Sequence, residues 1–119
     1  MPGKPLIEVT GSGPDLVLVH GWGMHRGVWG HAARDLALNY RLHLVDLPGH
    51  GTACGEILDD DLSGLASGIM ERVPEACWMG WSMGGLITLQ ALIEHSAHVR
   101  SAVLVACNPS FVVLSLIHI

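Results

Sequence analysis

Four short apolar runs, each bounded by turn-forming or polar residues, constrain the fold of this chain more than any other feature. They occupy residues 16–19, 42–45, 76–79 and 102–106, and a weaker run occupies residues 6–9. Runs of this length, flanked by glycine or proline, are typical of strands buried on both faces of a sheet. The four runs therefore predict buried strands, and the fifth predicts an edge strand.

Segments with helical patterning separate these runs and cover residues 28–38, 59–73 and 83–94. The second segment begins with Asp59-Asp60-Asp61, and acidic residues at this position cap a helix and favour its N-terminal dipole. The third segment is apolar nearly all round, which is expected of a helix packed at the centre of a domain.

Strands that alternate with helices form right-handed crossovers and build a parallel sheet. The predicted fold class is therefore α/β, with a mostly parallel sheet and flanking helices. In such sheets ligands bind beyond the carboxyl ends of the strands. The loops that follow Val19, Val45, Met79 and Ala106 are accordingly expected to carry function.

Charge and composition argue against several classes of protein. The net charge is -5 and no basic cluster is present, so binding of nucleic acid through a basic surface is not expected. No apolar run approaches the ~18–20 residues of a membrane helix, and the first residues lack a signal pattern, which predicts a cytoplasmic protein. Of the three cysteines, Cys77 and Cys107 lie in apolar segments and are expected to be buried and inert, and Cys54 has no Cys-x-x-Cys partner.

The strongest chemical signal is Gly80-Trp81-Ser82-Met83-Gly84, between a predicted strand and a predicted helix. A serine nucleophile at such a turn adopts a strained backbone conformation, and glycine two residues to either side avoids clashes of Cβ atoms. The N-terminus of the following helix favours the negative charge that develops in the reaction. The pattern predicts that Ser82 is a nucleophile; the alternative is a structural glycine turn.

A second motif, His20-Gly21-Trp22-Gly23, directly follows the first buried strand. Acyl transfer at Ser82 needs two backbone N–H groups for the tetrahedral oxyanion, and we expect them from Met83 and Trp22. The side chains of Trp22 and Trp81 would flank the serine with apolar surface; ordinary core packing is the alternative for either ring.

The same region allows one other interpretation. Gly21-x-Gly23-x-x-x-Gly27 follows a strand and opens a helix, and Asp46 ends the next strand, which is close to a dinucleotide-binding fingerprint. The bulk of Trp22 where a pyrophosphate would approach argues against it. We therefore expect no cofactor.

The histidines favour structural roles. His20 and His50 lie in the loops expected to carry function and are expected to make structural hydrogen bonds. His95 and His98 share the end of a helix, but no third ligand is spaced to complete a metal site.

With these motifs the chain resembles the α/β-hydrolases, and among them the pimeloyl-[acyl-carrier protein] methyl ester carboxylesterase family. The resemblance rests on residues 16–24, 42–51 and 78–86, and it extends over most of residues 6–110. It implies a serine carboxylesterase that hydrolyses the methyl ester of an acyl chain held on acyl carrier protein. The resemblance implies Ser82 as the nucleophile, Trp22 and Met83 at oxyanion and substrate-binding positions, and a monomeric whole protein. The alternatives are another hydrolase or lyase of the same fold, such as a general carboxylesterase or thioesterase, and a non-catalytic binding chain.

The family's acid and base follow the nucleophile in the order Ser, Asp, His. After Ser82 this chain offers Glu94 as an acid and His95, His98 and His118 as bases. Glu94 and His95 are neighbours on a predicted helix that leads away from the serine, and His118 lies in the C-terminal tail. We therefore expect residues 1–111 to be the N-terminal part of one hydrolase domain, inactive alone. Residues 112–119 are predicted to be a non-native tail, because residues 114–119 match the translation of a common sequencing-adaptor end; a genuine apolar strand is the alternative.

Overall fold

The computed structural model describes residues 3–56 and 61–105, and these residues contain one five-stranded sheet. The strand order is β1-β3-β2-β4-β5. Strands β2 to β5 pair in parallel, whereas β1 pairs with β3 in the antiparallel sense at one edge. The α/β class and the mostly parallel sheet are thereby confirmed. The strands are β1 (Leu6–Gly11), β2 (Asp15–Val19), β3 (Arg41–Asp46), β4 (Ala76–Trp81) and β5 (Val99–Val105).

Three α-helices connect the parallel strands: α1 (Gly30–Leu36), α2 (Leu62–Met70) and α3 (Met83–Glu94). The single helix predicted over residues 28–38 is wrong in its first part. A 3-10 turn, Arg26–Trp29, precedes α1, and the two are separated because Gly30 adopts a positive φ of 50°.

Helix α2 is shorter than the predicted span of residues 59–73. Asp61 caps it as expected, because its Oδ1 accepts a hydrogen bond from the Ser63 N–H at 3.0 Å; residues 59–60 lie outside the described part. The helix ends at Met70, a few residues before Pro74, which disfavours helical geometry at Val73. Helix α3 has the predicted bounds, but Ile93 is 54% exposed, so the helix is not buried all round.

The core has two layers because successive side chains of a strand point to opposite faces. Val17 and Val19 of β2 pack with residues of α2 and α3 on one face. Leu16 and Leu18 pack on the other face, against the segment that contains α1. Strand β2 is therefore buried on both faces, as predicted.

Strand β5 does not fit the same prediction. Val103, Leu104 and Val105 are 46%, 39% and 37% exposed, because β5 is at the sheet edge and its contact with α3 leaves these three side chains partly uncovered. Cys77 is half-buried rather than buried and accepts a hydrogen bond from the Ser101 hydroxyl at 2.9 Å. Cys107 and the predicted tail at residues 112–119 lie outside the described residues. No helix within residues 3–56 and 61–105 is long and apolar enough to cross a membrane.

The connections place two loops side by side. After β2 the chain passes to β3 on one side, and after β4 it passes to β5 on the other. Strands β2 and β4 are neighbours, with Val19 opposite Gly80. A crevice at the carboxyl ends of such strands is the usual binding site in an open parallel sheet. It brings the segment after Val19 next to the turn at Ser82.

Candidate active site

Ser82 occupies a strained turn between β4 and α3. Its φ and ψ are 57° and -117°, and it is the only non-glycine residue with a positive φ in the part of the chain that the structure describes. These angles are those of the first central position of a type II′ turn, where glycine is preferred. The side chain is exposed and its hydroxyl makes no capping hydrogen bond to α3. The hydroxyl therefore stands at the carboxyl end of the sheet, free of a helix-capping role.

Gly80 and Gly84 are required because backbones approach closely at this turn. A Cβ atom on Gly80 would lie 2.2 Å from the carbonyl oxygen of Gly84. A Cβ atom on Gly84 would lie 2.0 Å from the carbonyl oxygen of Val19 and 2.5 Å from that of His20. The predicted reason for these glycines is confirmed, and the contact with Val19 shows that the first turn of α3 rests on the end of β2.

Residues 21–24 form a tight turn beside the serine, and we call them the Gly21 turn. The Met24 N–H donates to the carbonyl oxygen of Gly21 at 3.1 Å, and Gly23 has a φ of 75°. A Cβ atom on Gly21 would lie 3.1 Å from the Cβ of Ser82, so the turn and the serine are in contact. Met83 is the first residue of α3, and its N–H has no acceptor within the helix. The structure thus brings together the segments that carry all three predicted site residues.

His20 fixes the peptide group that precedes Trp22. It is fully buried; its Nδ1 lies 2.7 Å from the carbonyl oxygen of Gly21, and its Nε2 accepts a hydrogen bond from the Leu47 N–H at 3.0 Å. Because Nε2 accepts, the proton of the neutral ring lies on Nδ1. Burial lowers the pKa of His20. The hydrogen bond to the Gly21 carbonyl oxygen raises the pKa by less, so the net shift is downward and the neutral form is favoured.

The direction of the Trp22 N–H follows from this bond. In a trans peptide the carbonyl oxygen and the N–H point in opposite directions. Holding the Gly21 oxygen therefore orients the Trp22 N–H, and the structural role expected of His20 is confirmed.

The two tryptophans have different surroundings. The Trp22 side chain is 64% exposed, and its ring lies edge-on to His50 with 5.4 Å between ring centroids. The Trp81 ring lies 5.8 Å from that of Trp29 and packs with the core cluster on the α1 side of the sheet. Trp81 is thus partly buried against the core, whereas the exposed Trp22 ring belongs to the turn whose Gly21 contacts the serine.

Asp46 is an anchor that the sequence analysis did not identify. It is buried, and its carboxylate accepts hydrogen bonds from the backbone and guanidinium of Arg26 and from the backbone and hydroxyl of Thr52. Burial alone would raise the pKa of Asp46, but the hydrogen bonds from Thr52 and Arg26 outweigh it and lower the pKa to about 2.

These bonds also bear on the dinucleotide hypothesis. Arg26 and Thr52 supply four hydrogen bonds to the Asp46 carboxylate, three of them to Oδ2 and one to Oδ1. The carboxylate is thus engaged within the protein, which argues against a dinucleotide site that uses Asp46 for a ribose hydroxyl. The only sequence signal for its actual role is its place at the end of a buried strand.

Asp46→Asn is expected to lower the free energy of unfolding at pH 7 by about 2 kcal/mol, since a pKa lowered from 3.8 to about 2 corresponds to that amount. A lowered pKa in the folded state stabilises the protein above the unfolded pKa, near 4. This contribution is lost as the pH falls from about 4 to 2. Urea denaturation of the wild type and of Asp46→Asn at pH 7 and at pH 3 measures this contribution to the free energy of unfolding.

The matched control is Asp35→Asn, an exposed carboxylate of α1, which should leave stability nearly unchanged. An Asp46→Asn variant as stable as the Asp35→Asn variant at pH 7 would contradict the anchoring role.

Comparison with known proteins agrees with this architecture. The model of a family described as "Alpha/beta hydrolase family" matches residues 16–117. Among solved structures, the esterase RhEst1 from Rhodococcus sp. ECU1013 is similar, with 31% sequence identity and a TM-score of 0.73 over 90% of this chain and 45% of that one.

Two curated relatives share more of the sequence. The pimeloyl-[acyl-carrier protein] methyl ester esterase of Nitrosospira multiformis is 42% identical over 113 residues, which cover 89% of this chain and 43% of the relative. The protein of the same name from Vibrio cholerae is 44% identical over 105 residues, 87% of this chain and 41% of the relative. The chain thus spans about two fifths of the length of these relatives.

Proposed function

This chain belongs to the alpha/beta hydrolase family and has its fold, and from that premise we propose that Ser82 is the nucleophile of a carboxylic ester hydrolase. The observation that carries the proposal is the strained backbone of Ser82 at the turn from β4 into α3. A strained conformation persists only where the surrounding structure enforces it, and such positions cluster at functional sites. Here the strain holds a hydroxyl at the open end of the crevice between β2 and β4.

The reaction follows from the groups around the serine. The Ser82 Oγ attacks the ester carbonyl carbon while its proton passes to a general base. The N–H groups of Trp22 and Met83 stabilise the resulting oxyanion. The alcohol leaves with that proton as the acyl–oxygen bond breaks, and water then hydrolyses the acyl-serine to release the acid.

The base and its partner acid belong, in this proposal, to sequence beyond residue 111. Glu94 accepts a hydrogen bond from Ser63, and the rings of His95 and His98 contact Ser67 and the Val73 carbonyl oxygen. These three residues lie at or beyond the end of α3, which at 1.5 Å per residue is roughly 18 Å from Ser82. The length of the relatives supports the view that residues 1–111 are the N-terminal part of one domain.

The proposed substrate is the methyl ester of a pimeloyl chain carried on acyl carrier protein. The names of the relatives support this choice, and so does the exposed ring of Trp22, which offers apolar surface to an acyl chain from the turn that contacts the serine. The whole protein is proposed to act in the cytoplasm as a monomer, with acyl carrier protein as its partner.

Methyl pimeloyl-acyl carrier protein, incubated with the complete protein, is expected to release methanol and to keep its thioester bond. Mass spectrometry of the carrier protein measures both outcomes, since loss of the methyl group and loss of the acyl chain give different masses. An ethyl ester and a simple p-nitrophenyl acyl ester serve as comparison substrates.

Each alternative gives a different result. Cleavage of the thioester indicates a thioesterase, and hydrolysis of the simple ester alone indicates a general carboxylesterase. If no ester is hydrolysed and a fluorophosphonate does not label Ser82, the site is not a serine hydrolase and a binding role takes its place.

A further inference from the structure

We propose that His50 is a positioning residue, which with His20 clamps the backbone of Trp22 so that its N–H faces the substrate oxygen. The inference rests on the proposed function of Ser82 and adds a residue in the loop that follows β3. Its basis is a pair of hydrogen bonds, one on each side of Trp22.

The two histidines hold the two peptide groups that flank the Cα of Trp22. His20 Nδ1 lies 2.7 Å from the carbonyl oxygen of Gly21, in the preceding peptide group. His50 Nε2 accepts a hydrogen bond from the Gly23 N–H at 3.0 Å, in the following peptide group. Each peptide group is planar, so fixing both fixes φ and ψ of Trp22 together.

The His50 ring is suited to this task by its other contacts. It is 8% exposed, and its Nδ1 lies 3.1 Å from the carbonyl oxygen of Pro48. A carbonyl oxygen accepts only, so the neutral ring carries its proton on Nδ1 and keeps Nε2 as an acceptor for Gly23. The ring also contacts the edge of the Trp22 ring, so it supports both the backbone and the side chain of that residue.

Without His50, the peptide group between Trp22 and Gly23 loses its hydrogen bond to the loop after β3. Type I and type II turns differ mainly by rotation of their central peptide group, here the one between Trp22 and Gly23. The hydrogen bond from Met24 to Gly21 closes the turn but does not choose between these forms. His50 accepts the N–H of that peptide group and therefore selects one of them.

Two substitutions separate the two ends of the His50 ring. In His50→Gln the side-chain oxygen reaches the place of Nε2 and can accept from the Gly23 N–H. In His50→Asn the shorter amide reaches only the place of Nδ1, so it can donate to Pro48 but leaves Gly23 without an acceptor. Both variants remove the aromatic ring, so loss of the contact with Trp22 is common to them.

In the complete protein, His50→Asn is expected to lower kcat about 10- to 100-fold. This decrease should not exceed the decrease in kcat that follows removal of one oxyanion donor. KM should change less than about threefold, because loss of an interaction made only in the transition state lowers kcat and leaves KM nearly unchanged. His50→Gln is expected to recover most of kcat. Hydrogen exchange of the Gly23 N–H should be slow in wild type and in His50→Gln, and fast in His50→Asn.

The outcomes against the proposal are distinct. Equal kcat values for the two variants, or equal protection of the Gly23 N–H, overturn the clamp. A loss of kcat in His50→Asn that is no larger than the loss of folded protein at the assay temperature indicates a merely structural role and overturns the positioning role. An inactive wild-type protein with the expected exchange pattern overturns the proposed function and the catalytic consequence of the clamp, but not its geometry.

Discussion

Replacing Ser82 by alanine is expected to lower kcat for ester hydrolysis by about 10⁴- to 10⁶-fold in the complete protein. The alanine removes the atom that attacks the carbonyl carbon. Removal of the nucleophile alone lowers kcat about as much as removal of the nucleophile, base and acid together. The residual rate comes from the backbone N–H groups of Trp22 and Met83, which the substitution leaves in place. Steady-state kinetics measures the change, and labelling by a fluorophosphonate should disappear with it.

A second variant, Ser82→Gly, controls for the backbone strain. It lacks the same hydroxyl and should be as inactive as Ser82→Ala, but glycine adopts a φ of 57° and a ψ of -117° without a Cβ clash. Relief of strain should raise the free energy of unfolding by about 1 kcal/mol relative to Ser82→Ala. A fluorophosphonate that still labels Ser82→Ala would place the nucleophile elsewhere, and equal stability of the two variants would contradict the strain.

The strands could be predicted because their signals are local. The apolar runs at residues 16–19 and 42–45 lie within β2 and β3, and the spacing of glycines around Ser82 correctly indicated a turn from strand to helix. A tight turn is determined by a few consecutive residues, so a five-residue motif between a predicted strand and a predicted helix predicts it.

Other features depend on contacts between distant residues. The predicted helix over residues 28–38 is divided at Gly30, and β5 is exposed because it lies at the sheet edge. Strand order is set by which crossovers pack on which face, and single-strand patterns do not reveal it. The exposed Val103 resembles a buried valine in the sequence, since only its neighbours differ.

The residues of the candidate site also fall into two groups, those predicted by local motifs and those whose contacts are distant in the sequence. Ser82 and the glycine-rich segment after β2 could be found from motifs, and hydrogen bonding by His50 was expected, but the partners of His50 and Asp46 could not be predicted. His50 contacts Gly23, which is 27 residues away, and Asp46 contacts Arg26, 20 residues away. The strand pairing of β2 with β3 brings both pairs together. The support of the Gly21 turn is therefore a property of the sheet, whereas the nucleophile turn is a property of the local sequence.

Gly84→Ala is expected to lower the free energy of unfolding by about 3 kcal/mol, which is among the larger costs of overpacking a core. It should also reduce the rate of ester hydrolysis at least about tenfold. The added Cβ would lie 2.0 Å from the carbonyl oxygen of Val19 and 2.5 Å from that of His20, and both atoms belong to the backbone. Neither can rotate away as a side chain would, so the first turn of α3 must move off β2. That movement displaces the Met83 N–H from the oxyanion of the reaction.

The matched control is Gly68→Ala, another glycine within a helix. Its added Cβ would meet only the Cδ of Pro5, at 3.6 Å, which is ordinary van der Waals contact. Alanine is favoured over glycine inside a helix by up to about 1 kcal/mol, so Gly68→Ala should stabilise the protein and leave kcat unchanged. Chemical denaturation and kinetics of the two variants compare the same chemical change in two helices. A Gly84→Ala variant that keeps wild-type stability and activity would show that α3 does not need this close approach to β2. The position of the Met83 N–H would then depend on the Ser82 turn alone.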